Sequence, residues 1–129
     1  MVDVHLRRCV VNNLSILRLY FTAAETKPAH VWWERLVPQT LEGFLLRQAK
    51  GHGIEQALLH RVFGGFLKNQ ELIMDTGESP PPRLPSCLEL IGEEVNLQSF
   101  LMANQEYLRK VRIIFLRGEE VRYKVTTDS

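Results

Sequence analysis

Residues 64–85 read GGFLKNQELIMDTGESPPPRLP. The stretch opens on two glycines and closes on a run of prolines. It forms no helix and little sheet, because Pro80, Pro81 and Pro82 lack backbone donors and fix their own φ. A connection this long inside a chain of 129 residues is functional or disordered, or else its neighbours are misassigned. The patterns on its two sides therefore decide the fold.

On the N-terminal side, residues 15–22 (SILRLYFT) alternate, with Leu17, Leu19 and Phe21 on one face, and predict strand one. A helical pattern follows over about residues 32–50, with Leu41, Phe44 and Leu45 at the centre of its apolar stripe. Pro38 fits the first turn of the main helix, which leaves Trp32 and Trp33 in a leading segment, and Gly51 and Gly53 supply the stop. Residues 54–63 predict strand two. Beyond the long loop, residues 86–91 (SCLELI) predict strand three, with Pro85 at its start. Asn96 is a candidate N-cap for a second helix carried by Leu97, Phe100, Leu101 and Leu108. Arg109, Lys110 and Arg112 suit the negative end of that helix. Residues 112–116 predict strand four, and residues 121–125 extend the sheet after Gly118.

The order β-α-β-loop-β-α-β is that of an α+β, ferredoxin-like protein. Two helices cover one sheet face. The strands carry apolar residues on both faces, so the second face needs a cover that oligomerisation would supply. Residues 1–13 read as a leader, either an extra strand or a frayed end. The domain spans residues 14–125, and residues 126–129 are a tail.

Composition excludes several classes. Hydrophobic residues make up 45% and charged residues 24%, the balance of a folded domain. A net charge of +1 gives no bulk field for nucleic acid or membrane. The two cysteines, Cys9 and Cys87, stand in no motif, which argues against a disulfide scaffold and for a reducing, cytoplasmic setting. No signal-peptide pattern and no membrane-length apolar run is visible. His5, His30 and His52 share no zinc-ligand spacing with the cysteines, so no metal is expected. No Ser/His/Asp arrangement, P-loop or paired carboxylate site is legible, and the reading is non-enzymatic.

Two segments resemble PII-like signalling proteins, in the branch long catalogued as a domain of unknown function. One is Gly53-Ile54 followed by residues 58–66 (LLHRVFGGF). The other is residues 84–91 (LPSCLELI), then Glu93-Glu94 and Phe100-Leu101, with Val121-Arg122-Tyr123 near the end. The resemblance covers residues 15–124. It implies a homotrimer whose long loop, about residues 66–84, is the T-loop that touches a regulated protein, with a membrane transporter as one class of partner and no insertion of the regulator itself. It also implies an adenine nucleotide (ADP, ATP, AMP or cyclic AMP), not tightly held, in inter-subunit clefts lined by the loop base, the turn before helix two and the last strand. The implied ligand-binding residues are Arg61, Gly64, Gly65, Phe66, Gly92 and Arg117. The implied partner-contacting residues are Lys68, Asn69, Gln70 and Arg83. The sequence departs from the pattern at Leu67, where glycine is common, and at Gly92-Glu93-Glu94-Val95, whose two acids repel phosphate. The residues also allow blander readings: Arg61 and Arg117 as salt-bridge partners, His60 as half-buried packing, and the whole chain as a constitutive trimeric interaction module without a ligand switch.

Overall fold

Alternation along the first strand sets the architecture. Leu17, Leu19 and Phe21 are buried, while Ile16, Arg18 and Tyr20 between them are partly exposed on the other face. The computed structural model describes residues 3–22, 40–77 and 83–128, with side chains over 6–22, 40–77 and 83–125. Strand β1 (Asp3–Thr22) leads to helix α1 (Leu41–Gly51) and strand β2 (Gln56–Arg61). Two short strands follow, β3 (Gly64–Gly65) and β4 (Ile73–Met74). Then come β5 (Pro85–Gly92), helix α2 (Glu94–Ala103), a 3-10 turn at Gln105–Tyr107 and β6 (Arg112–Asp128).

The main sheet has the order β2-β5-β1-β6, and every neighbouring pair is antiparallel. β1 and β2 therefore run parallel with β5 between them, which is the split crossover expected from the element order. Leu17 stands between Leu90 and Phe115, and Leu19 between Leu88 and Ile113. On this face Leu41, Leu45 and Ala49 of α1 and Leu97 and Phe100 of α2 close the core, with Leu108 and Val111. Phe44 meets Tyr107 edge-on at 4.8 Å, tying α1 to the turn after α2.

The helix ends differ in part from the sequence reading. Thr40 caps α1, its hydroxyl accepting from the Gly43 N–H at 3.2 Å. Gly53 follows α1 with φ 72, a left-handed conformation that costs other residues about 1–2 kcal/mol. α2 starts earlier than expected: Glu93 is its N-cap, and the Asn96 side chain instead donates to the Gly53 carbonyl at 3.3 Å. At the far end buried Asn104 donates to the Phe100 carbonyl at 2.9 Å, which satisfies a polar group in the core. The segment with Trp32, Trp33 and Pro38, and residues Pro80, Pro81 and Pro82, lie outside the described residues.

β1 is longer than residues 15–22. Residues 3–13, expected as a leader or an extra strand, continue it without a break and pair with the end of β6. The 112–116 and 121–125 segments are likewise one strand, β6. Among the described residues no helix is long and apolar enough to cross a membrane.

The central core pair gives a direct check. Leu88 is fully buried on β5 beside Leu19 and Leu59. Leu88→Ala is expected to lower the unfolding free energy by about 2–5 kcal/mol in urea titrations. A loss under about 1 kcal/mol would place Leu88 outside the core.

Candidate functional site

The strand order brings the end of β1, the start of β6 and the base of the long loop to one end of the sheet. Tyr20 stands opposite Arg112. Next to them, Phe21 and Thr22 end β1, Phe66, Leu67, Lys68 and Gln70 come in from the loop, and Lys110 and Ile114 flank Arg112. Together they line a cleft of about 540 Å³. A volume of that size is in the range of small-ligand sites.

The cleft is chemically two-sided. Lys68 from the loop and Lys110 and Arg112 from the start of β6 are exposed cations. Phe66, 68% exposed, and Tyr20 supply aromatic surface. Cations that converge on one cleft favour an anion, and an exposed aromatic ring offers a stacking face to a planar group. Arg8, Arg18, Arg61 and Arg117 are instead each engaged by a carboxylate.

The loop is partly organised. Gly64 pairs with Met74 and Gly65 with Ile73, and the Asp75 N–H donates to the Phe63 carbonyl at 2.7 Å. A Cβ at Gly64 would lie 2.5 Å from the Met74 sulfur and 3.2 Å from the Ile73 carbonyl oxygen, so glycine lets this hairpin close. A tight turn at Leu67–Gln70 places Asn69 at φ 63. Asn69, Gln70 and Arg83 border a second, adjoining recess with Thr22, Glu71 and Ile73.

The residues that the resemblance implied fall into two groups. Gly64, Gly65 and Phe66 lie at the loop base, and Phe66 lines the cleft. Gly92 and Arg117 both stand beside Ser15, at the opposite end of the sheet. The turn before α2 is thus remote from the loop base within one protomer. The segment that reaches the loop base is the one after α2, through Lys110. Arg117 is paired with Glu94 at 2.5 Å and lies over the Phe115 ring, 5.3 Å from its centroid.

Arg61 has a structural partner. Its Nη2 lies 2.6 Å from Oε1 of Glu42, whose side chain is 3% exposed. Ser86 Oγ donates to the other Glu42 oxygen at 2.9 Å. Glu42 also sits in the first turn of α1, where the helix dipole favours a negative charge. A carboxylate this buried is tolerable only when so partnered.

The sheet face opposite the helices, which no described helix covers, carries a polar row. Arg18 Nε donates to Glu89 at 3.0 Å, and His60 Nε2 lies 3.9 Å from the other Glu89 oxygen. Burial pushes the Cys87 thiol up from its ordinary value, which works against a nucleophilic role. Among the described residues no group of three or more His, Cys, Asp or Glu side chains could hold a metal ion.

Lys110 and Arg112 are the candidate site residues that the sequence reading did not single out as ligand groups. They read there as dipole partners of the second helix. Their signal was position: with strand four beside strand one, cations at the start of strand four must face the loop.

Comparison with known proteins supports the fold. No protein-family model matches the sequence, and no curated protein matches it significantly. A crystal structure titled as that of a "putative PII-like signaling protein" from Thermus thermophilus superposes with a TM-score of 0.50 at 15% identity. The match covers 85% of this chain and 89% of that one. The chain therefore has a fold similar to that of this structure, with two helices on an antiparallel sheet among the described residues.

The Arg61–Glu42 geometry predicts a stability effect. Arg61→Ala is expected to cost about 1–3 kcal/mol in chemical denaturation, because it removes a partner from a buried carboxylate. Glu42→Gln in the Arg61→Ala background should recover part of that loss. An Arg61→Ala protein of unchanged stability would contradict the structural role.

Proposed function

We propose that the protein is a PII-like, non-enzymatic regulator that binds an adenine nucleotide at the base of its long loop. The observation that carries this reading is the cleft itself, where three exposed cations and two aromatic rings converge beside the loop. Phosphate is the natural partner of Lys68, Lys110 and Arg112. Phe66 and Tyr20 offer a face for the base. Within one chain the acidic turn at Glu93-Glu94 lies at the other end of the sheet from this cleft.

The mechanism follows from shared residues. Phe66, Leu67, Lys68 and Gln70 line the cleft and belong to the loop. A ligand held by Lys110 and Arg112 would draw Lys68 and Gln70 inward and stabilise one loop arrangement. Differential affinity for that arrangement is what a switch requires. Asn69 and Arg83, outside the cleft, then present a ligand-dependent surface to a regulated protein, with a transporter as one class. By the same reading the protein works as a homotrimer in the cytoplasm, and Arg117 and Gly92 of a second copy would complete the cleft.

The test is calorimetric titration of ATP, ADP, AMP and cyclic AMP. One of them should bind the wild-type protein. Lys110→Ala and Arg112→Ala should each weaken it about tenfold or more, or about 1.4 kcal/mol. Bound ligand should also protect the loop against limited proteolysis between residues 66 and 84. A wild-type protein that binds none of the four, or variants that bind as well as wild type, would overturn the reading. Binding without loop protection would favour a constitutive interaction module.

A further inference from the structure

The recess beside the cleft differs from the cleft in its chemistry. Its volume is about 420 Å³, and Thr22, Asn69, Gln70, Glu71, Ile73 and Arg83 line it. The cleft is lined by three cations and no acid, whereas the recess has one of each, Arg83 and Glu71. Its formal charge is zero, but the two charges are held apart.

The chain builds the recess from three places. Thr22 ends β1 and stands opposite Pro85, the first residue of β5. Arg83 comes just before β5, and Leu84 between Arg83 and Pro85 is buried, which anchors the returning limb of the loop. On the outgoing limb Ile73 pairs with Gly65 in the β3–β4 hairpin, and Asn69, Gln70 and Glu71 lead up to it. Asn69 takes φ 63 in a turn closed by the Gln70 N–H on the Leu67 carbonyl at 3.0 Å. Asparagine accepts that left-handed backbone better than most residues, so the sequence itself favours the turn. Glu71 and Arg83 thus come from opposite limbs of the long loop.

No neighbour neutralises either charge. Arg8, Arg18, Arg61 and Arg117 each meet a carboxylate. Among the described residues, Glu71 and Arg83 make no ion pair with each other or with another side chain. Direct pairing would gain little, since an exposed ion pair is worth about 0–1 kcal/mol. A ligand that carries both charges gains more, because each of its ends makes a charge-assisted hydrogen bond. A simple anion is drawn to Arg83 and repelled by Glu71, and a simple cation the reverse.

We propose that the recess binds a free α-amino acid as its zwitterion, with the carboxylate on Arg83 and the ammonium group on Glu71. The guanidinium fork matches a carboxylate with two parallel hydrogen bonds. The ammonium group has three donors, and the Thr22 hydroxyl and the side-chain carbonyls of Asn69 and Gln70 can accept those that Glu71 leaves. Ile73 offers an apolar wall to the ligand's side chain. The volume lies toward the small end of ligand pockets, which run to about 300–1,000 Å³, as a single amino acid requires. Bound there, the ligand ties the two limbs of the loop together and withdraws Arg83 from the surface offered to a partner. The recess shares only Thr22 and Gln70 with the nucleotide cleft. The proposal goes beyond the nucleotide reading, and a failed nucleotide titration leaves it untouched.

Calorimetric titration of the full chain with each common L-amino acid, without nucleotide, tests it. At least one should bind. Its α-keto acid, which lacks the ammonium group, and its decarboxylated amine should each bind about tenfold more weakly or worse. Glu71→Gln and Arg83→Gln keep the side chain long and remove one charge each. Both positions are exposed, so the circular dichroism spectrum and the urea midpoint should stay as in the wild type. Each variant should weaken binding about tenfold or more. A wild-type protein that binds no amino acid, an α-keto acid that binds as well as its amino acid, or folded variants with wild-type affinity would overturn the proposal.

Discussion

The structure turns on one constraint: among the described residues, two helices cover one face of a four-stranded sheet and none covers the other. Leu17, Leu19 and Phe21 of β1 alternate with Ile16, Arg18 and Tyr20, so the central strand commits half its side chains to the helix layer. The other half face outward with Leu58, Ile91, Ile114 and Leu116. Burial of the first set supplies the main driving force for folding. Exposure of the second leaves the folded chain with an apolar face that an isolated domain would not ordinarily retain.

The same strand order that creates the open face also creates the cleft. β6 lies beside β1, so the start of one meets the end of the other, and the loop leaving β2 folds over the junction. Lys68 of the loop is brought by topology to Lys110 and Arg112, which stand together at the start of β6. The mirror end of the sheet has the opposite chemistry, with Glu94 neutralising Arg117. A positive cleft at one end and a paired cation at the other give the protomer a clear polarity for anions.

Much of the fold was legible because its signals are local. Alternation in residues 15–22 and 86–91 marks half-buried strands, and the stripe of Leu41, Phe44 and Leu45 marks α1. The rest depends on long-range partners. Val10-Val11 gives no local sign that one of the two is a bulge, because the register shift exists only against β6. The two-residue strands at Gly64–Gly65 and Ile73–Met74 are too short to show a period. Glu42 reads as an ordinary first-turn acid, and its burial is visible only when Arg61 and Ser86 are brought to it. Arg61 and Arg117 were weighed as ligand contacts against salt bridges, and both are engaged by glutamates in the protomer. Lys110 and Arg112 were legible as cations but not as a cleft wall, since that role needs the strand order.

The central claim is that the open sheet face is covered by further copies of the chain. Sedimentation equilibrium of the unmodified protein, without ligand, tests it most directly. The account predicts a closed assembly at a multiple of the 14.9 kDa chain, three copies on the PII-like reading. A stable, folded species of 14.9 kDa at micromolar concentration would contradict it.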